Sequence, residues 1–197
     1  MQDYGYNYID DPIVLEMIDG KVYMMSRPND RHLMLEGNIY NIFTNYFRKN
    51  KKKCVVIIER QLYLDDSTYV QPDLMVYCKN NNEKKNRKVP VIVVEILSDS
   101  TWKKDMTVKM KKYAELEIEE YWIIDPRSKR LSIYKLEGGK YELHDTYYNP
   151  SEDSFSVVPE IREKQQSELV REFSPPLFSD MTVSLEEVFS LEDLDII

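Results

Sequence analysis

Residues 91–97, Val-Ile-Val-Val-Glu-Ile-Leu, constrain the fold more than any other stretch of the chain. Side chains alternate along a strand, so Val91, Val93 and Leu97 share one side and Ile92, Val94 and Ile96 the other. Both sides are apolar, and such a strand belongs at the centre of a sheet that is covered above and below. Glu95 is the one charge in it. A carboxylate within a two-sided apolar strand costs several kcal/mol unless it is paired, protonated or bound to a metal. The bland reading is a charge at the wet end of the strand, because Ser98 and Asp99 follow closely.

The rest of the chain supplies covering layers. Residues 15–24 read as two short strands around an Asp19-Gly20 turn. After a loop at 27–31, Leu35, Ile39, Ile42, Phe43, Tyr46 and Phe47 keep the three-four spacing of one buried helix face, and the basic run 48–53 ends it. Residues 54–58 form a β-branched strand that 61–64 either continue or pair with, and 74–77 form the next strand. A lysine-rich loop at 79–88 leads to the central strand. Ser98, Asp99, Ser100 and Thr101 offer caps for a helix running to about Leu116. Three strands follow at 121–124, 131–136 and 140–143, turned at Asp125-Pro126 and at Gly138-Gly139. Residues 149–172 are polar apart from a β-like stretch at 156–158; 181–183 read as a strand and 185–189 as a short helix. This pattern predicts an α/β protein with a central mixed sheet flanked by helices. It predicts one domain over 1–197, with a core at about 12–147 and a C-terminal extension at about 148–197.

No window approaches the roughly 18 apolar residues of a membrane span, and the acidic N-terminus shows no secretory signal. A cytoplasmic protein is therefore expected. Cys54 and Cys78 flank apolar strand residues, which reads as buried free thiols in a reducing compartment. The net charge of −8 argues against a protein that coats nucleic acid. Its distribution is uneven: residues 48–112 hold 16 Lys and Arg against 8 Asp and Glu, whereas the remainder holds 11 against 27. A basic middle in an acidic chain can form a patch that meets phosphates, if its side chains share one face; otherwise it is a set of solvated loops.

Asp73 gives Glu95 a companion. Pro72 lacks a backbone donor and restricts the residue before it, which suits the start of a strand, and Asp73 projects from that start. Alone, Asp73 reads as turn chemistry. Together, two carboxylates at the ends of adjacent strands can bind Mg²⁺, which prefers oxygen ligands, with the backbone carbonyl of Ile96 completing the set. On the following helix, Trp102, Met106, Met110 and Tyr113 cluster on one side. Lys109 lies only about 20° from Trp102 and about 40° from Tyr113, at the margin of that face, whereas Lys104 and Lys111 point away. Its head is thus within reach of Glu95, unless it merely snorkels from the edge of the core.

These residues, in this order, resemble the PD-(D/E)XK nuclease superfamily. That pattern places a lysine two residues after the second acid, where this chain has Leu97. One branch moves the lysine to the next helix, and the chain is similar to that branch, the restriction endonucleases of the Uma-two type. The likeness runs through Leu15-Glu16-Met17-Ile18-Asp19-Gly20-Lys21, His32 at the first helix, and Gln71-Pro72-Asp73-Leu74. It continues with residues 89–98, Ser100-Thr101, Asp105, Lys109 and Tyr113, then Glu120-Tyr121-Trp122-Ile123-Ile124-Asp125-Pro126, and closes on Phe173-Ser174-Pro175-Pro176-Leu177. It implies a restriction-endonuclease-like core and a DNA phosphodiesterase using Mg²⁺ or Mn²⁺ held by Asp73, Glu95 and the Ile96 carbonyl. It also implies that Lys109 orients or activates the attacking water, and that Glu16, His32 and Tyr113 line the site.

Other chemistry finds no support. His32 and His144 are too few and too isolated for zinc, and neither a nucleophile elbow nor a phosphate-binding glycine loop is present. Two further readings stay open on the same fold: a nucleic-acid-binding module that cuts nothing, and a protein-interaction module using the acidic surface. A homodimer is compatible with cutting two strands.

Overall fold

Asp19 and Gly20 both have positive φ, 49° and 75°, the conformation a two-residue type I′ hairpin turn needs. They join β1 (Leu15–Ile18) to β2 (Lys21–Met24), as the Asp-Gly signal predicts. The computed structural model describes residues 15–25, 27–79, 89–98, 105–149 and 170–191. The expected caps Asp99, Ser100 and Thr101, together with Trp102, Lys104, the loop at 80–88 and the stretch at 156–158, lie outside those residues.

Helix α1 (Asp30–Lys49) buries Leu35, Ile39, Ile42, Phe43, Tyr46 and Phe47, the face read from the sequence. Asn29 caps it by accepting the His32 amide, and Arg48 and Lys49 stand in the last turn, where cations offset the helix dipole. Asn29→Ala is expected to lower stability by about 1 kcal/mol, read as a fall of roughly 2–4 °C in Tm. An unchanged Tm would show that the cap contributes nothing.

The main sheet holds β3 (Cys54–Ile58), β6 (Leu74–Cys78), β7 (Ile92–Ile96), β8 (Glu120–Asp125), β9 (Arg130–Glu137) and β10 (Lys140–Tyr148). Their order is β10-β9-β8-β7-β6-β3, with β7 and β8 parallel and every other neighbouring pair antiparallel. β7 is central and all five of its residues are buried, as its two apolar faces require. On one side Ile92, Val94 and Ile96 join Phe43, Trp122 and Ile124 beneath α1. On the other Val93 joins Met75, Tyr121 and Tyr113. Fully burying each such side chain stabilises by about 1.5–3 kcal/mol.

A second sheet, ordered β2-β1-β5-β4, contains β4 (Leu62–Asp65) and β5 (Thr68–Val70) and packs Ile18, Leu62, Leu64 and Val70 on the Val93 side. This corrects the expectation that residues 61–64 continue or pair with β3. Glu59 has positive φ, the chain leaves β3, and β4 pairs with β5 across a tight turn. The crossover from β7 to β8 also differs from a regular helix. Asp105–Lys109 is a π-helical turn that leads into α2 (Met110–Glu115). Past β10, longer than predicted, β11 (Glu172–Phe173) pairs with β12 (Val183–Ser184), and α3 (Leu185–Val188) follows. Phe173, Phe178 and Val188 from this segment pack into the α1 side of the core.

The free-thiol reading of Cys54 and Cys78 is overturned, because the two form a disulfide between β3 and β6. The register aligns them directly, with Cα atoms 4.1 Å apart. The amide of Lys79 donates to the carbonyl of Lys53 one step away, so the cysteines occupy a non-hydrogen-bonded pair, where cross-strand side chains approach most closely. A separation of 24 residues carries no sign of that register. Disulfides persist in oxidising surroundings, so the cysteines no longer argue for a reducing compartment. No described helix is long and apolar enough to cross a membrane.

Candidate active site

Alternation along β7 turns Glu95 to the Val93 side, away from α1 and toward β1 and α2. There it is 3% exposed and accepts hydrogen bonds from Lys109 and Tyr113. Lys109 Nζ donates to both carboxylate oxygens, at 3.0 and 3.2 Å, and the Tyr113 hydroxyl donates to Oε1 at 2.6 Å. Glu16, fully buried on β1, pairs with the same ammonium at 2.9 Å and accepts the Gln71 amide at 3.2 Å. Lys109, placed at the margin of the helix face by periodicity, is in fact 1% exposed. It ends the π-helical turn and bridges a strand from each sheet. Burial and then the Glu95 charge push the Tyr113 hydroxyl well above the usual tyrosine range, so it stays a donor.

Asp73 stands immediately before β6. Its Oδ2 accepts the Ile96 amide at 2.5 Å and its Oδ1 contacts His32 Nε2 at 3.1 Å. Amide and carbonyl of one strand residue point to the same edge, so the Ile96 carbonyl also faces the Asp73 side. Burial opposes charge on His32, but the Asp73 hydrogen bond and the charges of Asp73, Glu36 and Glu59 outweigh it and raise its pKa.

His32, Asp73, Glu95 and Ile96 share a cavity of about 290 Å³ with Glu59, Leu97 and three arginines, Arg27, Arg31 and Arg127. Lys109, Glu16 and Tyr113 stand behind Glu95 rather than among the lining residues. Among the described residues no three His, Cys, Asp or Glu side chains converge at metal-holding distance. A cation here would take two carboxylates, the Ile96 carbonyl and waters, an all-oxygen set that fits Mg²⁺ or Mn²⁺. Glu16, Glu95 and Lys109 together carry a formal −1, and Asp73 adds another.

Sequence reasoning missed Glu36. It is 5% exposed, its Oε1 has no hydrogen-bond partner, and burial followed by the charges of Asp73 and Glu59 pushes its pKa up to about 7. The signal was its position, one turn beyond His32 and on the apolar stripe with Ile39 and Phe43. The arginines carried no signal, because the turn after β8 brings Arg127 to Arg27 and Arg31 at the start of α1, about a hundred residues away in the chain.

Fold and site define a restriction-endonuclease-like α/β protein. The model of the Uma2 family, described as "Putative restriction endonuclease", matches residues 2–169, and the chain belongs to that family. A solved structure from Anabaena variabilis, described as "a putative nuclease belonging to DUF820", is similar over 89% of both chains, with a TM-score of 0.60 and 17% identity. That likeness concerns the fold. None of the curated proteins compared with the chain matches it.

Proposed function

We propose that the protein is a metal-dependent endonuclease that hydrolyses DNA phosphodiester bonds at the Asp73–Glu95 cavity. The observation that carries this reading is the convergence of those two acids on one arginine-lined cavity, with Lys109 of the next helix held on Glu95. Asp73, Glu95 and the Ile96 carbonyl would hold Mg²⁺ or Mn²⁺. When bound, such an ion supplies a nucleophilic water near neutral pH and neutralises charge on the phosphate.

The chain's own groups do the positioning. The Ile96 amide and His32 fix the two oxygens of Asp73, while Lys109 and Tyr113 fix Glu95. Preorganised ligands of this kind lose little entropy when they meet a substrate. Arg27, Arg31 and Arg127 stand where a phosphate entering the cavity meets guanidinium donors, which recognise phosphate through paired hydrogen bonds. Lys109 takes the part of the family's motif lysine from behind Glu95, fixing the carboxylate that meets the attacking water and offsetting charge that develops on the phosphate.

The test pairs calorimetric titration of Mg²⁺ or Mn²⁺ with a plasmid-nicking assay on wild type and Asp73→Ala. Wild type is expected to bind the ion and nick DNA, and Asp73→Ala to lose both, with at least about a 100-fold fall in affinity. Equal metal binding by the two proteins would show that the site is elsewhere. Metal binding that depends on Asp73 without any nicking would make this a binding module.

A further inference from the structure

A second cavity, of about 430 Å³, lies past the C-terminal end of α1. Lys51, Lys52, Lys53 and Lys79 line it together with the Cys54–Cys78 disulfide. The pairing of β3 with β6 brings Lys79 beside Lys53, through the amide-to-carbonyl bond of 2.8 Å. Among the described residues, these four lysines of the basic middle share one face.

Lys52 is already committed. It pairs with Asp180 at 3.1 Å and lies 5.5 Å from the centre of the Tyr46 ring. Lys51, Lys53 and Lys79 are exposed and reach no carboxylate among the described residues. Elsewhere the chain pairs lysines readily: Lys109 with Glu16 and Glu95, Lys112 with Asp19 and Asp65. The helix dipole does not account for the remaining three, since Arg48 and Lys49 already occupy the last turn of α1. Three uncompensated ammonium groups around one hollow repel each other, and an anion relieves that repulsion.

We infer that this lysine-rimmed cavity is a second nucleic-acid contact, binding the phosphodiester backbone of duplex DNA apart from the acidic site. The inference rests on the nuclease reading for the choice of DNA as the polyanion. Its place supports that choice. The 20 residues of α1 span about 30 Å, with His32 at the acidic cavity and Lys51 just past the far end. That span is close to the roughly 34 Å of one B-DNA turn, so a duplex laid along the helix presents phosphates to both ends. Lysines serve here as sequence-blind anchors, each neutralising one phosphate and releasing counterions.

The test is a fluorescence-anisotropy titration of a labelled duplex of roughly 24 base pairs with the 197-residue chain, without divalent metal, over about 50 to 200 mM salt. Lys51→Gln/Lys53→Gln/Lys79→Gln is compared with wild type and with a control of equal charge change, Lys21→Gln/Lys111→Gln/Lys140→Gln. The first variant is expected to lose at least about tenfold in affinity and to flatten the slope of log K against log salt by about 2.7, while the control stays near wild type. Equal losses in the two variants would reduce the effect to net charge and overturn the inference. So would a lysine-cavity variant that binds like wild type, or a wild type that binds no duplex. If the slope flattens but wild type nicks nothing with Mg²⁺, the anchor stands and the nuclease reading fails. If wild type nicks plasmid while the lysine-cavity variant keeps its slope, the reverse holds.

Discussion

Lys109→Met is expected to lower unfolding free energy by about 3–5 kcal/mol and to abolish DNA nicking, while binding of Mg²⁺ or Mn²⁺ is retained. The stability loss follows from where the ammonium sits. Lys109 is 1% exposed between Glu16 and Glu95, themselves 0% and 3% exposed. Removing the cation leaves two carboxylates buried without their shared partner, and solvent has little access to screen them. For a chain of 197 residues this corresponds to roughly 6–20 °C in Tm, measured by calorimetry or urea unfolding. Adding Glu16→Gln to Lys109→Met removes one of the two charges and should recover part of the loss. Nicking should stay absent in the double variant, because no ammonium then stands beside Glu95. A Lys109→Met protein as stable as wild type would mean the buried ion pairs are not formed. One that still nicks DNA would remove Lys109 from the mechanism. Lys112→Met is the control. Its ammonium bridges Asp19 and Asp65 at 2.7 and 3.0 Å, in a wetter place, and its loss should cost about 0.5–1 kcal/mol with nicking intact.

Glu36→Gln is expected to act in the opposite direction, and only at higher pH. Burial, then the charges of Asp73 and Glu59, raise the Glu36 pKa from 4.5 to about 7 in the folded protein. Between those values the native state holds the proton more tightly than the unfolded chain does. Wild-type stability from this group is therefore present below pH about 4.5 and is lost as pH rises toward about 7. Glutamine cannot ionise, so the variant escapes the loss. With allowance for solvent near the cleft, the gain over wild type at pH 8 is about 1–3 kcal/mol, and it vanishes near pH 4. Urea unfolding at a series of pH values reads this difference. Curves that run parallel across the range would show that Glu36 ionises as an ordinary carboxylate.

The two variants differ in how much of their environment the chain reveals. The Lys109–Glu95 relation was legible, because a lone acid in an apolar strand needs a partner and helical periodicity turned one lysine toward it. Its depth was not legible. A regular helix puts Lys109 at the margin, whereas the π-helical turn at Asp105–Lys109 and the covering strand β1 bury it completely. Glu36 was passed over because it stands in an amphipathic helix whose other charges are solvated. Only the approach of β3 and β6 closes the space around it and brings Asp73 and Glu59 into range. The misplacement of residues 61–64 has a similar origin. Apolar alternation marks a strand but not its partner, and the positive φ of Glu59 decides that β4 joins a different sheet.

Local pattern, by itself, determined the central strand with its lone acid Glu95, the Asp-Gly hairpin and the buried face of α1. Each depends on spacing within a few residues or on the cost of burying one charge. The tertiary structure decided what depends on register between segments far apart in the chain. It joined Cys54 to Cys78, set Glu16 against Lys109, enclosed Glu36, and gathered arginines at one end of α1 and unpaired lysines at the other. Pairing of separate strands fixes these proximities through cooperative packing, and a linear pattern carries no measure of that.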